Sequence, residues 1–220
     1  MLERTSPFIN LPRARNIFGI GRNYAAHAQE LGNPIPEGEP VLFLKAASSL
    51  RGINALKPYN YPKGLHFEAE LVLAIADSVP RGTVGDWGLV AALGLGLDLT
   101  LRDKQEELKK KQLPWALAKS FSGASVVSPL LPRSAFEDLE DLSFQFSLNG
   151  TVKQRGQTKQ MIYSVPYLLG FILKNHELEA GDLIFTGTPQ GVGPISEGQS
   201  ISLSWLGKDG QVRTTFEGIL

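Results

Sequence analysis

The chain contains no cysteine, which excludes a disulfide framework, a thiol nucleophile and a thiolate metal site and fits a reducing compartment. It also has no net charge, since 22 basic residues balance 22 acidic ones. Neither a nucleic-acid-binding tail nor a membrane-surface patch is therefore expected. No apolar run is long enough to span a bilayer, and the longest, residues 89–101, is interrupted by Asp98. The first eight residues are charged and proline-bearing and do not resemble a signal peptide. These absences make a cytoplasmic protein the default. The 220 residues are 42% hydrophobic, enough for one substantial core. A single domain over residues 1–220 is expected, with residues 1–15 as a leader packed on it. The 23 glycines and 14 prolines favour many short strands joined by turns.

Apolar runs place strands at residues 16–21, 41–45, 65–75, 89–99 and 183–186. Asn149-Gly150 between residues 142–148 and 151–155 is a type I′ hairpin signal. A second hairpin is expected at residues 200–216, turning at Lys208-Asp209-Gly210. Helical composition covers residues 24–31, 100–111 and 161–173, with Pro166 near the start of the third. The stretches up to Gly64 and over residues 120–131 read as irregular. This pattern is β-rich with a few short helices.

Within the expected strand 65–75, Glu68 and Glu70 stand two residues apart, so both point to the same face. Like charges side by side repel, and burying either unpaired is costly. A hard divalent cation resolves that conflict through carboxylate oxygens, while a solvated strand face is the bland alternative. A third carboxylate, Asp98, sits in strongly apolar sequence. Alone it reads as a cap for the helix near Thr100. Taken together, the three favour an all-oxygen site for Mg²⁺ or Mn²⁺ with positions left for water and substrate. His66 shares parity with Glu68, with a structural role as its bland reading. His27 and Glu30, three apart on a short helix, have the spacing of a carboxylate-oriented general base, or of an ordinary surface pair. The Gly- and Thr-rich run at residues 186–194 offers backbone N–H groups to an anion, but it lacks the ending of a Walker loop.

These residues together resemble the fumarylacetoacetate hydrolase family over nearly the whole chain. The resembling pieces are GRNYAAHAQEL (21–31), PVLFLK (40–45), HFEAEL (66–71), GLDLTLRDKQ (96–105), PWALAKSF (114–121), NGTVKQRG (149–156) and GDLIFTGTPQGVGP (181–194). Each is weak alone, and their order and spacing carry the specificity. The branch resembled is the short one of acylpyruvate hydrolases and oxaloacetate decarboxylases. The resemblance implies a β-rich α+β fold, a mixed β-roll with short peripheral helices, and a homodimer. It implies Glu68, Glu70 and Asp98 as ligands of Mg²⁺ (or Mn²⁺), Lys119 as the active-site lysine, and His27 with Glu30 as a catalytic dyad on a mobile lid. Arg22, Lys45, Arg102, Gln105 and Thr188 fall at positions associated with the substrate. One departure is that Ala46 and Ala47 follow Lys45, where the family often has proline.

The function so implied is metal-dependent hydrolysis of the C–C bond of an acylpyruvate, such as fumarylpyruvate or acetylpyruvate, in aromatic catabolism. His27 would activate water, and the metal with Lys119 would stabilise the departing pyruvate enolate. The alternatives are decarboxylation of oxaloacetate and isomerisation of an unsaturated 2-keto acid. A catalytically silent binding protein is the reading from another class. The expected partner is a small 2-keto acid, with no nucleic acid and no membrane.

Overall fold

The computed structural model describes residues 14–30, 32, 38–56, 61 and 63–220. Residues 1–13 of the expected leader, Leu31 at the end of the first expected helix and most of the following glycine–proline break lie outside the described residues. The chain runs β1 (Ile17–Gly21), α1 (Ala25–Glu30), β2 (Val41–Lys45), β3 (Leu50–Gly52), β4 (Leu65–Phe67), β5 (Ala69–Ile75), β6 (Val90–Asp98) and β7 (Thr100–Leu101). It continues through α2 (Arg102–Lys110), α3 (Ala116–Lys119), β8 (Ser125–Val127), β9 (Leu131–Pro132), β10 (Ser143–Leu148) and β11 (Thr151–Gln157). The last elements are α4 (Val165–Leu173), β12 (Leu183–Phe185), β13 (Gly193–Pro194), β14 (Ser200–Leu206) and β15 (Val212–Ile219).

A mixed sheet of eight strands has the order β2-β1-β12-β5-β6-β8-β3, with β9 paired to β6. A meander of four, β11-β10-β14-β15, and a small sheet β13-β4-β7 complete the roll. Alternation along β5 and β6 divides the core. Leu71, Leu73, Leu93 and Leu95 face the larger apolar cluster with Phe144, Phe146, Leu203 and Trp205 of the meander. Val72, Ala74 and Ala92 face a smaller one with Ile17, Leu183 and Phe185. Each fully buried leucine contributes about 1.5–3 kcal/mol. The register of β5 on β6 is thus tightly specified, since a one-residue slip would exchange the two faces.

Local chemistry explains several elements. Asn149 and Gly150 both adopt positive φ, 49° and 75°, as the I′ turn requires. Ser164 caps α4 by accepting from the Tyr167 N–H, and Pro166 sits in the first turn, where no N–H is needed. In α2, Asp103 lies in the first turn and Lys109 and Lys110 in the last, matching the helix dipole.

Three expectations are corrected. The strand over 65–75 breaks at Glu68, because residues 65–67 pair with β7 and β13 while Ala69 onward joins the large sheet. Residues 125–127, expected to be irregular, are β8, held between β6 and β3 by long-range pairing that a short stretch does not announce. The helix expected from Thr100 starts at Arg102, and no side chain caps it.

Candidate active site

The break at Glu68 and the register of β5 on β6 bring the three carboxylates together. Ala69 opposes Leu97 and Glu70 opposes Gly96. The Asp98 N–H then donates to the Glu68 carbonyl at 2.8 Å. Carboxylate oxygens of Glu68, Glu70 and Asp98 all lie within 4.8 Å of one another, and all three residues are buried. Asp98 caps no helix.

Cations offset part of this charge. Lys119 Nζ, at the end of the short helix α3, donates to Glu68 Oε2 at 2.7 Å and to Asp98 Oδ2 at 2.6 Å. Arg102 binds Glu68 Oε1 through Nη2 and Gln105 Oε1 through Nη1, the latter at 2.7 Å. Burial works to raise the Glu68 carboxyl, but Lys119 and Arg102 together hold it well below the usual carboxylate range. For Lys119, burial works downward and is outweighed by Asp98 and Glu68, so its ammonium titrates above the ordinary value. Glu70 accepts the Gly187 N–H at 2.7 Å. Burial and the charges of Asp98 and Glu68 push its carboxyl well up. Beside it the Tyr24 hydroxyl is buried with no hydrogen-bond partner among the described residues, and burial, with Glu70, raises its titration.

His27 projects from α1 and is only 5% exposed. Its Nδ1 lies 3.3 Å from Glu30 Oε2. Burial lowers the imidazole pKa against the upward pull of Glu68 and Glu30, so the ring is neutral near neutral pH. The carboxylate of Glu30 in turn accepts the Gly191 N–H at 3.0 and 3.1 Å. The glycine-rich run 186–194 therefore does bind anions, but those shown are the protein's own Glu70 and Glu30. Gly187 and Gly191 hold φ of 100° and 94°, a conformation that side chains rarely adopt.

Ile20, Gly21, Arg22, His27, Glu68 and Glu70 are among the residues lining a cleft enclosing about 420 Å³, part of it open to solvent. Phe43, Arg102, Gln105, Lys109, Trp115, Lys119 and Thr188 complete it. Arg22 adopts the left-handed region at φ 62°, which costs a non-glycine residue roughly 1–2 kcal/mol and is typical of functional positions. Phe43 is set against the cleft by lying over Gly19, where a Cβ would come within 2.4 Å of its ring. Lys45 stands elsewhere. Instead of reaching the cleft it is fully enclosed behind the triad, bonded to Asp98 Oδ1 and the Lys119 carbonyl. His66 is also absent from the cleft lining.

Sequence reasoning did not single out the residues that tie this site to the rest of the fold. Gln154 on β11 accepts the Ala69 N–H at 2.9 Å and donates to Thr188 Oγ1 and the Pro189 carbonyl, both at 2.8 Å. It thereby clamps the glutamate strand to the glycine-rich run. Its inward position was readable from alternation, since it stands between the exposed Lys153 and Arg155. Asn23, fully buried, joins the carbonyls of Tyr163 and Thr186 and accepts the Tyr163 N–H.

The donor set fits a hard divalent cation. Three buried carboxylates converge, burial and the charges of the other two press Glu70 toward protonation, and the neighbouring tyrosyl hydroxyl has no hydrogen-bond partner among the described residues. Among the described residues no helix is long and apolar enough to cross a membrane.

Over 208 residues the chain is 42% identical to the mitochondrial oxaloacetate tautomerase FAHD1 of Mus musculus, covering 92% of this chain and 91% of the relative. It is 40% identical to a mitochondrial oxaloacetate decarboxylase of Dictyostelium discoideum, covering 89% and 90%. Both are named as mitochondrial, which lends the cytoplasmic expectation no support. Among solved structures, fumarylpyruvate hydrolase from Pseudomonas aeruginosa in complex with Mn²⁺ and pyruvate superposes with a TM-score of 0.83. That match has 30% identity and covers 94% of this chain and 89% of that one. The fumarylacetoacetate (FAA) hydrolase C-terminal family matches residues 16–219, so the chain belongs to that family.

Proposed function

We propose that this enzyme acts on oxaloacetate, moving a proton between carbon 3 and the 2-oxygen, with loss of CO₂ from the same substrate as a related outcome. The observation that carries this reading is a buried, carboxylate-oriented histidine sharing one cleft with Glu68 and Glu70 of the acidic triad and with Lys119, to which Asp98 is bonded from behind. Relatives named for oxaloacetate chemistry supply the substrate. This moves the acylpyruvate hydrolase expectation to second place.

Glu68, Glu70 and Asp98 would hold Mg²⁺ or Mn²⁺. When bound, such a cation acts as a Lewis acid on a 2-keto group. Glu30 engages Nδ1 of His27, leaving Nε2 to take a proton from carbon 3. The electron pair released moves toward the 2-oxygen, where Lys119 stabilises the developing negative charge. Return of the proton to that oxygen gives the enol, and its return to carbon 3 regenerates the keto acid. In decarboxylation the electron pair comes from the broken bond to carbon 4, so the demand on Lys119 is the same and no base is required.

The second reading, hydrolysis of an acylpyruvate, is favoured by the likeness to fumarylpyruvate hydrolase and would use His27 to activate water. An ultraviolet assay of enol-oxaloacetate ketonisation separates the two, run beside pyruvate release from oxaloacetate and loss of acetylpyruvate absorbance, each with Mg²⁺ and with EDTA. Metal-dependent acceleration of ketonisation is the expected result. Turnover of acetylpyruvate alone would replace the proposal with hydrolysis, and inactivity in all three assays would overturn both readings.

A further inference from the structure

Three cations at or behind the cleft are already engaged. Lys45, Lys119 and Arg102 are each bonded to a carboxylate of the triad. Lys109 lines the same cleft and is half-buried, yet it pairs with no carboxylate among the described residues. Its ammonium instead rests 5.3 Å from the centroid of the Trp115 ring. Lys109 follows Arg102 and Gln105 at three- and four-residue steps on α2, so all three share a helix face. Burial, then the charges of Arg102 and Arg22, press its pKa downward against a weaker upward pull from Glu68. A half-buried cation held near like charges with no carboxylate bonded to it gains from an arriving anion.

We propose that Lys109 forms the subsite for the second carboxylate of a 2-keto dicarboxylic acid and so selects dicarboxylates over monocarboxylates. Lys45, Lys119 and Arg102 already have carboxylate partners, whereas Lys109 has none among the described residues. Trp115 holds the lysine in place at the cleft. The identity of the substrate head group rests on the oxaloacetate reading, whereas the preference for a second carboxylate does not.

Isothermal titration calorimetry in Mg²⁺ buffer tests this with malate and lactate, which share a 2-hydroxy acid head and differ in the second carboxylate. Wild-type protein is expected to bind malate about tenfold or more tightly than lactate, a difference of about 1.4 kcal/mol. Lys109→Met, which keeps the stem against Trp115, should lose that preference while lactate affinity stays unchanged, and Lys109→Arg should retain it. Equal affinities in the wild type, or undiminished malate binding in Lys109→Met, would overturn the subsite; so would loss of lactate binding by that variant with its melting temperature unchanged. If Lys109→Met fails to fold, the wild-type ratio and Lys109→Arg still decide. A malate preference in a protein without oxaloacetate turnover would remove the proposed function and leave the subsite standing. Turnover without the preference would do the reverse.

Discussion

The two ends of β5 bury opposite kinds of side chain. From residue 71 to residue 75 every side chain is apolar and enters one of the two apolar clusters. At the other end Glu70 and the adjoining Glu68 are just as buried, but as carboxylates. The apolar end gains by leaving water. The charged end loses several kcal/mol per ion before any partner compensates. Here the partners are Lys119, Arg102 and the Gly187 N–H. The apolar end sets the register on β6, and that register then places the carboxylates against Asp98. One strand thus spends its core packing on positioning charges that, alone, would not stay buried.

This contrast can be tested from either end. The largest effect is expected at His27, the proposed base beside the charged end. His27→Ala should lower tautomerisation by about 10²–10⁴-fold with an unchanged melting temperature, the usual contribution of a positioned proton carrier. Decarboxylation, measured as pyruvate release, should survive in that variant. Equal loss of both would show that His27 acts on something other than the carbon 3 proton. At the apolar end, Leu73→Ala should cost about 2–5 kcal/mol in urea unfolding. Its kcat at low temperature should stay near wild type, and a collapse of kcat would mean that the two ends are not separable.

Gln154 bridges the two. Gln154→Ala leaves the buried Ala69 N–H unpaired and should cost about 1–3 kcal/mol. It should also lower kcat, since the clamp on the glycine-rich run is released. An effect on stability alone would make Gln154 purely structural. The smallest effect is in the pH profile. Burial lowers the His27 pKa, so the neutral base persists at pH values where an ordinary imidazole is charged. The acid limb of kcat/KM should therefore lie below about 6.5, the unperturbed value. A limb at or above that value would contradict a buried neutral base.

Much of the fold was legible because its signals are local. Asn149-Gly150 announces its turn through backbone conformation alone, and Pro166 marks the start of α4 for the same reason. The carboxylates were legible as a group through a pattern spread over the chain, although the physical argument from alternation assumed an unbroken strand and the break at Glu68 removes that premise. What was not legible depends on distant partners. Strand β8 exists because β6 and β3 flank it, and the short helix carrying Lys119 gives little periodic signal. Lys45 reads like any strand-end lysine until Asp98, 53 residues away, encloses it.

By itself the sequence determined the β-rich character, the turns, the absence of thiol chemistry and the identity of the acidic and basic groups available. Only the tertiary structure decided which of those groups meet. Gln154 reaches Ala69 across 85 residues and Gly187 reaches Glu70 across 117. Such contacts, and the titration shifts that follow from burial and neighbouring charge, exist only once the chain has closed on itself. Hydrogen bonding and electrostatics act through space at a few ångströms, whatever the separation along the chain.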